Sequence, residues 1–341
     1  MDNLRIGVIG VGIMGQRHCR VYDNLRHAQL AGVCDIAPKP GRQVAQQYGV
    51  PYYERLDDLL DQVDAVSIAT STPSHYATAM RCVERGMHVL VEKPITETLA
   101  QAETLTQAAE AKGCVFQVGH IERFNPAYME LKNVLTVAPP WAVNVRRLSP
   151  YAGSNTDVDV VLDLMIHDTN LVLDLIGMEP TLVNAYGVTA HNGAIDHAVA
   201  QLCFGTARPL VTMTASRITE HKVRSIEVTT PTAYIECDLL NKSILMHRRT
   251  TGEYQNQTVH KYRQESLVER IYVPTFEPLF LELQHFVECI QDHKQPNVTA
   301  RDGLKALRLV EDIRNAVCGC LIDTQDRPSQ EKASQAAATP A

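Results

Sequence analysis

The rhythm of apolar and polar positions changes about a third of the way along the chain. Apolar runs at 4–9, 29–34, 64–69, 87–91 and 115–119 have the length of buried strands. Between them, stretches at 13–25, 39–48, 74–85 and 97–112 carry the three-to-four spacing of amphipathic helices, and Gly113 closes the last as a C-cap. Strands and helices in short alternation predict βαβ units on a parallel sheet.

Beyond residue 120 the texture is different. "FNPAYMELKNVL" predicts a helix, and "DVDVVLDLMIHDTNLVLDLIG" a longer one ending at Gly177. From 181 to 273, segments such as "AVAQLCF", "RSIEVTT" and "AYIECDLL" alternate with period two, which predicts a large, mostly antiparallel sheet. The last helices are "PLFLELQHFVECIQDH" and "GLKALRLVEDIRNAV". The second follows a capping-box pattern of Thr299 and Asp302. The expected architecture is α/β: a doubly wound parallel domain at 1–121 and an α+β domain at 122–327. The C-terminal helices are expected to pack back on the first domain. The small, polar tail at 328–341 is expected to be disordered.

Composition narrows the class without changing this outline. Hydrophobic residues make up 45% and charged residues 21%, as in an ordinary globular chain. No apolar run approaches the ~20 residues of a membrane span, and the N-terminus has no signal-like core, so a cytoplasmic protein is expected. The net charge is −7 with no basic cluster, which argues against a nucleic-acid partner. The nine cysteines are scattered; only Cys318 and Cys320 lie close together, and none has zinc spacing, so no metal is expected.

The first chemical motif is "GVIGVGIMGQRH". Gly10, Gly12 and Gly15 form G-x-G-x-x-G, with Ile13 and Met14 inside the pattern, after a strand and at the start of a helix. That is the context in which glycines admit a pyrophosphate to a helix N-terminus, the fingerprint of a Rossmann domain. Asp35 lies 20 residues beyond Gly15, at the end of the second strand, where a carboxylate accepts ribose hydroxyls and repels a 2′-phosphate. NAD is therefore expected over NADP. Thr70, Ser71 and Pro73 follow another strand and are expected to line the cofactor. His75 is expected as a cap or a cofactor neighbour, and Gln117 as a neighbour from the last strand.

The second motif, "HVLVEKPITE", carries Lys93 out of a buried strand into the same carboxyl-end crevice. Its ammonium is expected beside the nicotinamide ribose and a substrate hydroxyl, so Lys93 and Glu92 are expected at the cofactor as well; Glu92 is placed to orient the lysine and Pro94 to stiffen the backbone. The third is "DLMIHD", where Asp163 and His167 stand four apart on a predicted helix and Asp159 extends the stripe. An imidazole there can take a proton from an alcohol, and the carboxylate can orient a substrate or raise the histidine pKa. In "GHIERFNPAY", His120, Glu122, Arg123 and Asn125 are expected at the crevice mouth. Arg123 suits a diphosphate or a sugar oxygen, or else a domain-junction ion pair with Glu122. Arg146 and Arg147 face opposite ways on a strand, so only one can serve a given site.

Taken in order, the glycine motif, "EKP" at 92–94, "DLMIHD" at 163–168 and "RDGLKALRLVEDI" resemble the Gfo/Idh/MocA oxidoreductase family over residues 4–320. The resemblance implies NAD(P)-dependent oxidation of a sugar or cyclitol hydroxyl. "VGHIERFNPAY" and "DVDVVLDLMIHDTNLVL" are similar to the branch of that family that oxidises C3 of UDP-N-acetylglucosamine, whose product a transaminase converts to a 3-amino sugar, in some bacteria for lipid A. Asn170 departs from the aspartate expected there. On this reading His167 is the general base, Lys93 stabilises the developing oxyanion, and Asp163 positions the sugar or the histidine. Asn125 and Arg147 join Arg123 as candidate substrate contacts. Rival expectations are another sugar or cyclitol dehydrogenase (on UDP-N-acetylglucosaminuronic acid, myo-inositol or a free sugar), a reductase of a non-sugar substrate, and an NAD-binding sensor without catalysis. The apolar open face of the second sheet is expected to be covered in a homo-oligomer, a dimer or tetramer.

Overall fold

A computed structural model describes residues 3–323 apart from 154–157, 192, 206–208, 257–258 and 319–320. The tail at 328–341 and Cys320 lie outside the described residues. The first sheet joins β1 (Leu4–Ile9), β2 (Ala28–Cys34), β3 (Tyr52–Tyr53), β4 (Ala65–Ile68), β5 (His88–Glu92) and β6 (Phe116–Gly119). They are parallel and ordered β3-β2-β1-β4-β5-β6, the doubly wound arrangement. The order reverses between β1 and β4, so the crevice for a ligand opens above those two strands.

The intervening helices are α1 (Ile13–Tyr22), α2 (Pro38–Tyr48), α3 (Leu56–Leu60), α4 (Thr72–Glu84) and α5 (Leu99–Lys112). β3 and α3 are additional to the sequence-based outline. α5 has both expected ends: Thr98 accepts from the Gln101 amide, and Gly113 sits in the left-handed region at φ 66°.

The chain then passes a 3₁₀ turn (Ile121–Phe124) and α6 (Pro126–Leu135) into the second sheet. This contains β7 (Ala142–Leu148), β8 (Leu182–Thr189), β9 (His197–Cys203), β10 (Leu210–Ser216), β11 (Val223–Thr229), β12 (Ala233–Asp238), β13 (Ser243–Asn256) and β14 (Val259–Ile271). β15 (Leu321–Asp323) lies at one edge. The order is β14-β13-β12-β11-β7-β10-β9-β8-β15, and only β7–β10 and β8–β15 pair in parallel. One cross-strand row, Val183–Leu202–Val211–Val143–Val228–Ile235–Met246, lies on the inner face, and six of its seven side chains are buried. The adjacent row on the other face exposes Leu182, Leu210, Tyr234 and Val268. Period-two alternation thus separates the two faces, as the sequence pattern predicts.

The long helix α7 covers the inner face, but its start departs from the expectation. Val161–Met165 forms a π turn before regular α-helix runs from Ile166 to Ile176. Asp159 is no stripe residue. Its carboxylate accepts the amides of Val161 and Leu162 at 3.0 and 2.9 Å and pairs with Arg314.

The last two helices tie the halves together. α8 (Pro278–Gln291) inserts Leu279, Leu283, Phe286, Val287 and Ile290 into the core beneath β1 and α1. α9 (Ala300–Cys318) gives Leu307 to the first domain's core and Val310, Ile313 and Val317 to the second's. Its start is the expected capping box: the Thr299 amide donates to Asp302 at 2.8 Å, and the Asp302 amide to Thr299 Oγ1 at 3.2 Å. No helix among the described residues is long and apolar enough to cross a membrane.

Candidate active site

The glycine loop has the geometry its spacing requires. Gly10 has φ 85°, and a Cβ there would meet the Ala69 carbonyl at 2.8 Å. At Gly15 a Cβ would lie 1.8 Å from the Gly10 carbonyl, so only glycine lets α1 close on β1. A Cβ on Gly12, the α1 N-cap, would meet nothing within 4 Å. One glycine makes the turn, one the close packing, and one faces the open space where a pyrophosphate would meet the helix N-terminus. Ile13 is exposed and Met14 half-buried at that same opening.

A cavity of about 440 Å³ continues from the loop, lined by Gly10, Gly12, Asp35, Thr70 and Ser71 among others. The buried Oγ1 of Thr70 has no hydrogen-bond partner among the described residues. Asp35 uses Oδ2 to accept the Val11 amide at 2.7 Å and Oδ1 to accept the Ala37 amide at 2.8 Å, so it braces the loop it shares the cavity with. Each oxygen keeps a lone pair for a ribose hydroxyl. Pro73 sits in the first turn of α4, behind Ser71 as its N-cap. The sequence reading missed Ile36, Glu54, Leu56, Ser74 and Thr78 in this wall. Ser74 and Thr78 were legible, since they continue one α4 face at a four-residue spacing. Glu54 and Leu56 were hidden behind the uncalled β3.

At the other end of the crevice, β5 delivers Glu92 and Lys93, and the Lys93–Pro94 peptide is cis. Lys93 Nζ donates to the Asp163 carbonyl at 3.0 Å and lies 3.6 Å from the Asp163 carboxylate. Burial lowers the Lys93 pKa below the usual ammonium value, while Asp163 and Glu92 oppose that. His167 is one turn further along, half-buried, with a buried Nδ1 that has no hydrogen-bond partner among the described residues. Its pKa is pushed well down by burial, and then by Lys93, Arg147 and His120. The expectation that a carboxylate raises it is therefore corrected: Asp163 has turned to Lys93, and cations surround the imidazole. His167 is thus held as an uncharged imidazole.

His75 is a brace. Its Nδ1 is 2.8 Å from the Pro94 carbonyl and its Nε2 3.1 Å from the Thr70 carbonyl, so the ring ties the Lys93 loop to the cofactor wall. His120 is buried behind Lys93 and His167 with both ring nitrogens unpartnered among the described residues, and burial holds its pKa down at about 3.

Four expected ligand contacts are engaged by the protein itself. Gln117 is enclosed in the core and donates to the Glu282 carbonyl at 3.2 Å, so it does not reach the cofactor wall. Arg123 pairs at 2.7 Å with Asp174, in place of Glu122, and donates to the Asn297 carbonyl. Asn125 is the N-cap of α6 and donates to Glu122 and to the Leu239 carbonyl. Arg147 is buried between Glu122 at 3.0 Å and Asp168 at 2.9 Å. Arg146 faces the opposite way, toward Glu227, as strand geometry requires. Asn170 is buried against a separate cavity of about 170 Å³ with Arg123, Asp174 and Lys305.

A dinucleotide cradle at one end of a switch-point crevice, with a lysine and a neutral histidine at the other, defines a dinucleotide-dependent oxidoreductase. The family model for the oxidoreductase family, NAD-binding Rossmann fold, matches residues 4–120, and that for its C-terminal alpha/beta domain matches 141–317. The chain belongs to the Gfo/Idh/MocA oxidoreductase family, and NAD is its cofactor. It is 32% identical to a UDP-N-acetylglucosamine 3-dehydrogenase of Acidithiobacillus ferrooxidans, over 93% of this chain and 98% of that protein. A solved structure of that enzyme superposes with a TM-score of 0.85 at 31% identity, covering 93% of this chain and 98% of that one. The scyllo-inositol 2-dehydrogenase (NAD(+)) of Bacillus subtilis is 27% identical over 88% of this chain and 90% of its own length. Among the described residues, no group of three or more histidine, cysteine or acidic side chains is placed to hold a metal.

Proposed function

We propose that this protein oxidises the C3 hydroxyl of UDP-N-acetylglucosamine to the 3-keto sugar nucleotide. The observation that carries the chemistry is the lysine–histidine pair: Lys93 held at 3.0 Å against the start of α7, beside a half-buried His167. The substrate rests on near full-length similarity to the Acidithiobacillus enzyme.

The oxidation removes a hydride and a proton from one CH–OH group. NAD, when bound, supplies the hydride acceptor. His167 takes the hydroxyl proton, which needs an uncharged imidazole, the state its surroundings impose. Lys93 presents a cation to the oxygen as negative charge develops there. Asp163 holds that cation in place through its carbonyl and carboxylate. The 3-keto sugar is a substrate for a transaminase, which places the reaction before 3-amino sugar formation of the lipid A type, in the cytoplasm. The open face of the second sheet, with Leu182, Tyr186, Leu210, Tyr234 and Val268 exposed, supports a homo-oligomer packed through that face.

The test is NADH formation from UDP-N-acetylglucosamine, its uronic acid, free N-acetylglucosamine, myo-inositol and scyllo-inositol, with a coupled 3-aminotransferase to draw off product. Turnover of UDP-N-acetylglucosamine that is lost in Lys93→Ala and His167→Ala supports the reading. Turnover of an inositol alone transfers the same chemistry to a cyclitol, and tight NAD binding without turnover of any of them overturns it.

A further inference from the structure

At one end of the second sheet the inner face stops being apolar. Followed across the strands in register, its last row reads Gly187–Ala198–Ala215–Arg147–Arg224. The rows before it on β7 and β11, Val143 with Val228 and Val145 with Ile226, are buried core. Period two keeps Arg147 and Arg224 on that same face, directly opposite each other on neighbouring strands. Like charges in that relation repel, so the pair needs a counter-charge.

Glu122 supplies it. Its Oε1 accepts from Arg147 Nη1 at 3.0 Å and from Arg224 Nη1 at 3.1 Å. Arg147 also donates from Nε to Asp168 at 2.9 Å. Glu122, Arg147 and Asp168 are 5%, 1% and 1% exposed. Arg224 differs from the other three: its side chain is 33% exposed. Glu122 is the one hydrogen-bond partner of its guanidinium among the described residues, and its Nε has none. The cluster of two carboxylates and two guanidiniums is therefore closed except at Arg224.

The opening lies at the crevice. Glu122 stands on the 3₁₀ turn that leaves the carboxyl end of β6, the strand paired with the end of β5 that delivers Lys93. Asp168 is the residue after His167 on α7. Arg224 is also among the cations that hold the His167 pKa down. Meanwhile the two arginines first expected to meet a diphosphate are enclosed in ion pairs, Arg123 with Asp174 and Arg147 with Glu122 and Asp168.

We propose that Arg224 is a specificity-determining residue that holds the diphosphate of a nucleotide sugar, a role that rests on the nucleotide-sugar reading above. A guanidinium fixed on one side by Glu122 keeps its remaining N–H groups for an anion, and its planar fork suits phosphoryl oxygens. An inositol or a free sugar has no such anion and gains nothing from it. Arg224 so selects the substrate by its nucleotide end while Lys93 and His167 act on the sugar.

The experiment measures binding of UDP and of uridine by calorimetry to wild type, R224Q and R224K, each saturated with NAD. Wild type should bind UDP at least about tenfold more tightly than uridine. In R224Q the ratio should fall to within about threefold with uridine binding unchanged, and R224K, which keeps the charge but not the fork, should fall between. Glu122 keeps Arg147 and Asn125 in both variants, and an unchanged affinity for NAD shows that the fold holds. In turnover, R224Q should raise KM for UDP-N-acetylglucosamine at least about tenfold and change kcat by less than about threefold. A UDP-to-uridine ratio in R224Q equal to that of wild type would overturn the assignment. Should R224Q fail to fold, an undiminished ratio in R224K does the same. If wild type binds no UDP at all, the nucleotide-sugar reading fails and the role of Arg224 with it, an outcome distinct from a ratio that survives the substitution.

Discussion

Lys93 and Asp163 are joined across the seam between the two domains. The lysine Nζ donates to the Asp163 carbonyl at 3.0 Å and stands 3.6 Å from its carboxylate. The π turn over Val161–Met165 contains that residue, and such turns free backbone groups from the regular ladder. The junction places a cation from one domain beside the His167 imidazole of the other; on the proposed mechanism Lys93→Ala should lower kcat by about 10²–10⁴-fold. NAD binding, followed by fluorescence titration, should change little. Asp163→Asn removes a group that raises the Lys93 pKa against burial. The ammonium then deprotonates at lower pH, so the alkaline limb of kcat/KM should move down in Asp163→Asn relative to wild type.

The glycine loop separates binding from folding. A methyl at Gly12 meets no protein atom, whereas one at Gly15 would collide with the Gly10 carbonyl. Gly12→Ala should therefore melt with wild-type Tm yet bind NAD at least about tenfold more weakly, because its methyl enters the space the pyrophosphate needs. Gly15→Ala should lose stability outright. Thermal melts with and without NAD check both: the cofactor-induced rise in Tm should vanish in Gly12→Ala.

What could be read from the sequence was what depends on near neighbours. Gly10, Gly12, Gly15 and Asp35 form a local pattern with a fixed structural context, and Lys93 inherits its place from the strand before it. Arg123, Asn125, Arg147 and Gln117 were expected at ligands because they are polar and near the crevice in sequence. Their partners lie far along the chain: Asn125 meets Leu239 114 residues away, and Gln117 meets Glu282 165 residues away. Nothing local announces such pairs. The π turn is equally silent, since it changes hydrogen-bond register without changing the apolar pattern. β3, two residues long, is too short for any periodicity to show.

Arg123 and Asp174 form a mostly buried pair whose role can be tested. Their side chains are only 10% and 12% exposed, and Asp174 also receives Lys132 and the Tyr128 hydroxyl. Removing Arg123 leaves Asp174 paired with Lys132 but takes away its mostly buried partner, at a cost of about 1–2 kcal/mol. Arg123→Ala should lower the urea midpoint accordingly, with KM for the sugar nucleotide changed by less than about threefold. A large rise in KM with unchanged stability would return Arg123 to the substrate site.

His120 gives the molecule an acid-side liability. Burial, then Arg123 and Lys93, hold its pKa down at about 3, against the ordinary value near 6.5 in the unfolded chain. The unfolded state therefore binds the extra proton first, and stability falls as pH drops below about 6.5, continuing toward the folded value. His167, also depressed by burial, acts in the same direction. By about pH 4 the His120 contribution amounts to roughly 3 kcal/mol. His120→Gln has no such proton to take up. Its urea midpoint should fall less steeply than wild type between about pH 6.5 and 4, even if it begins lower at neutral pH. Parallel pH dependences of the two proteins would show that His120 is not the buried neutral histidine described here.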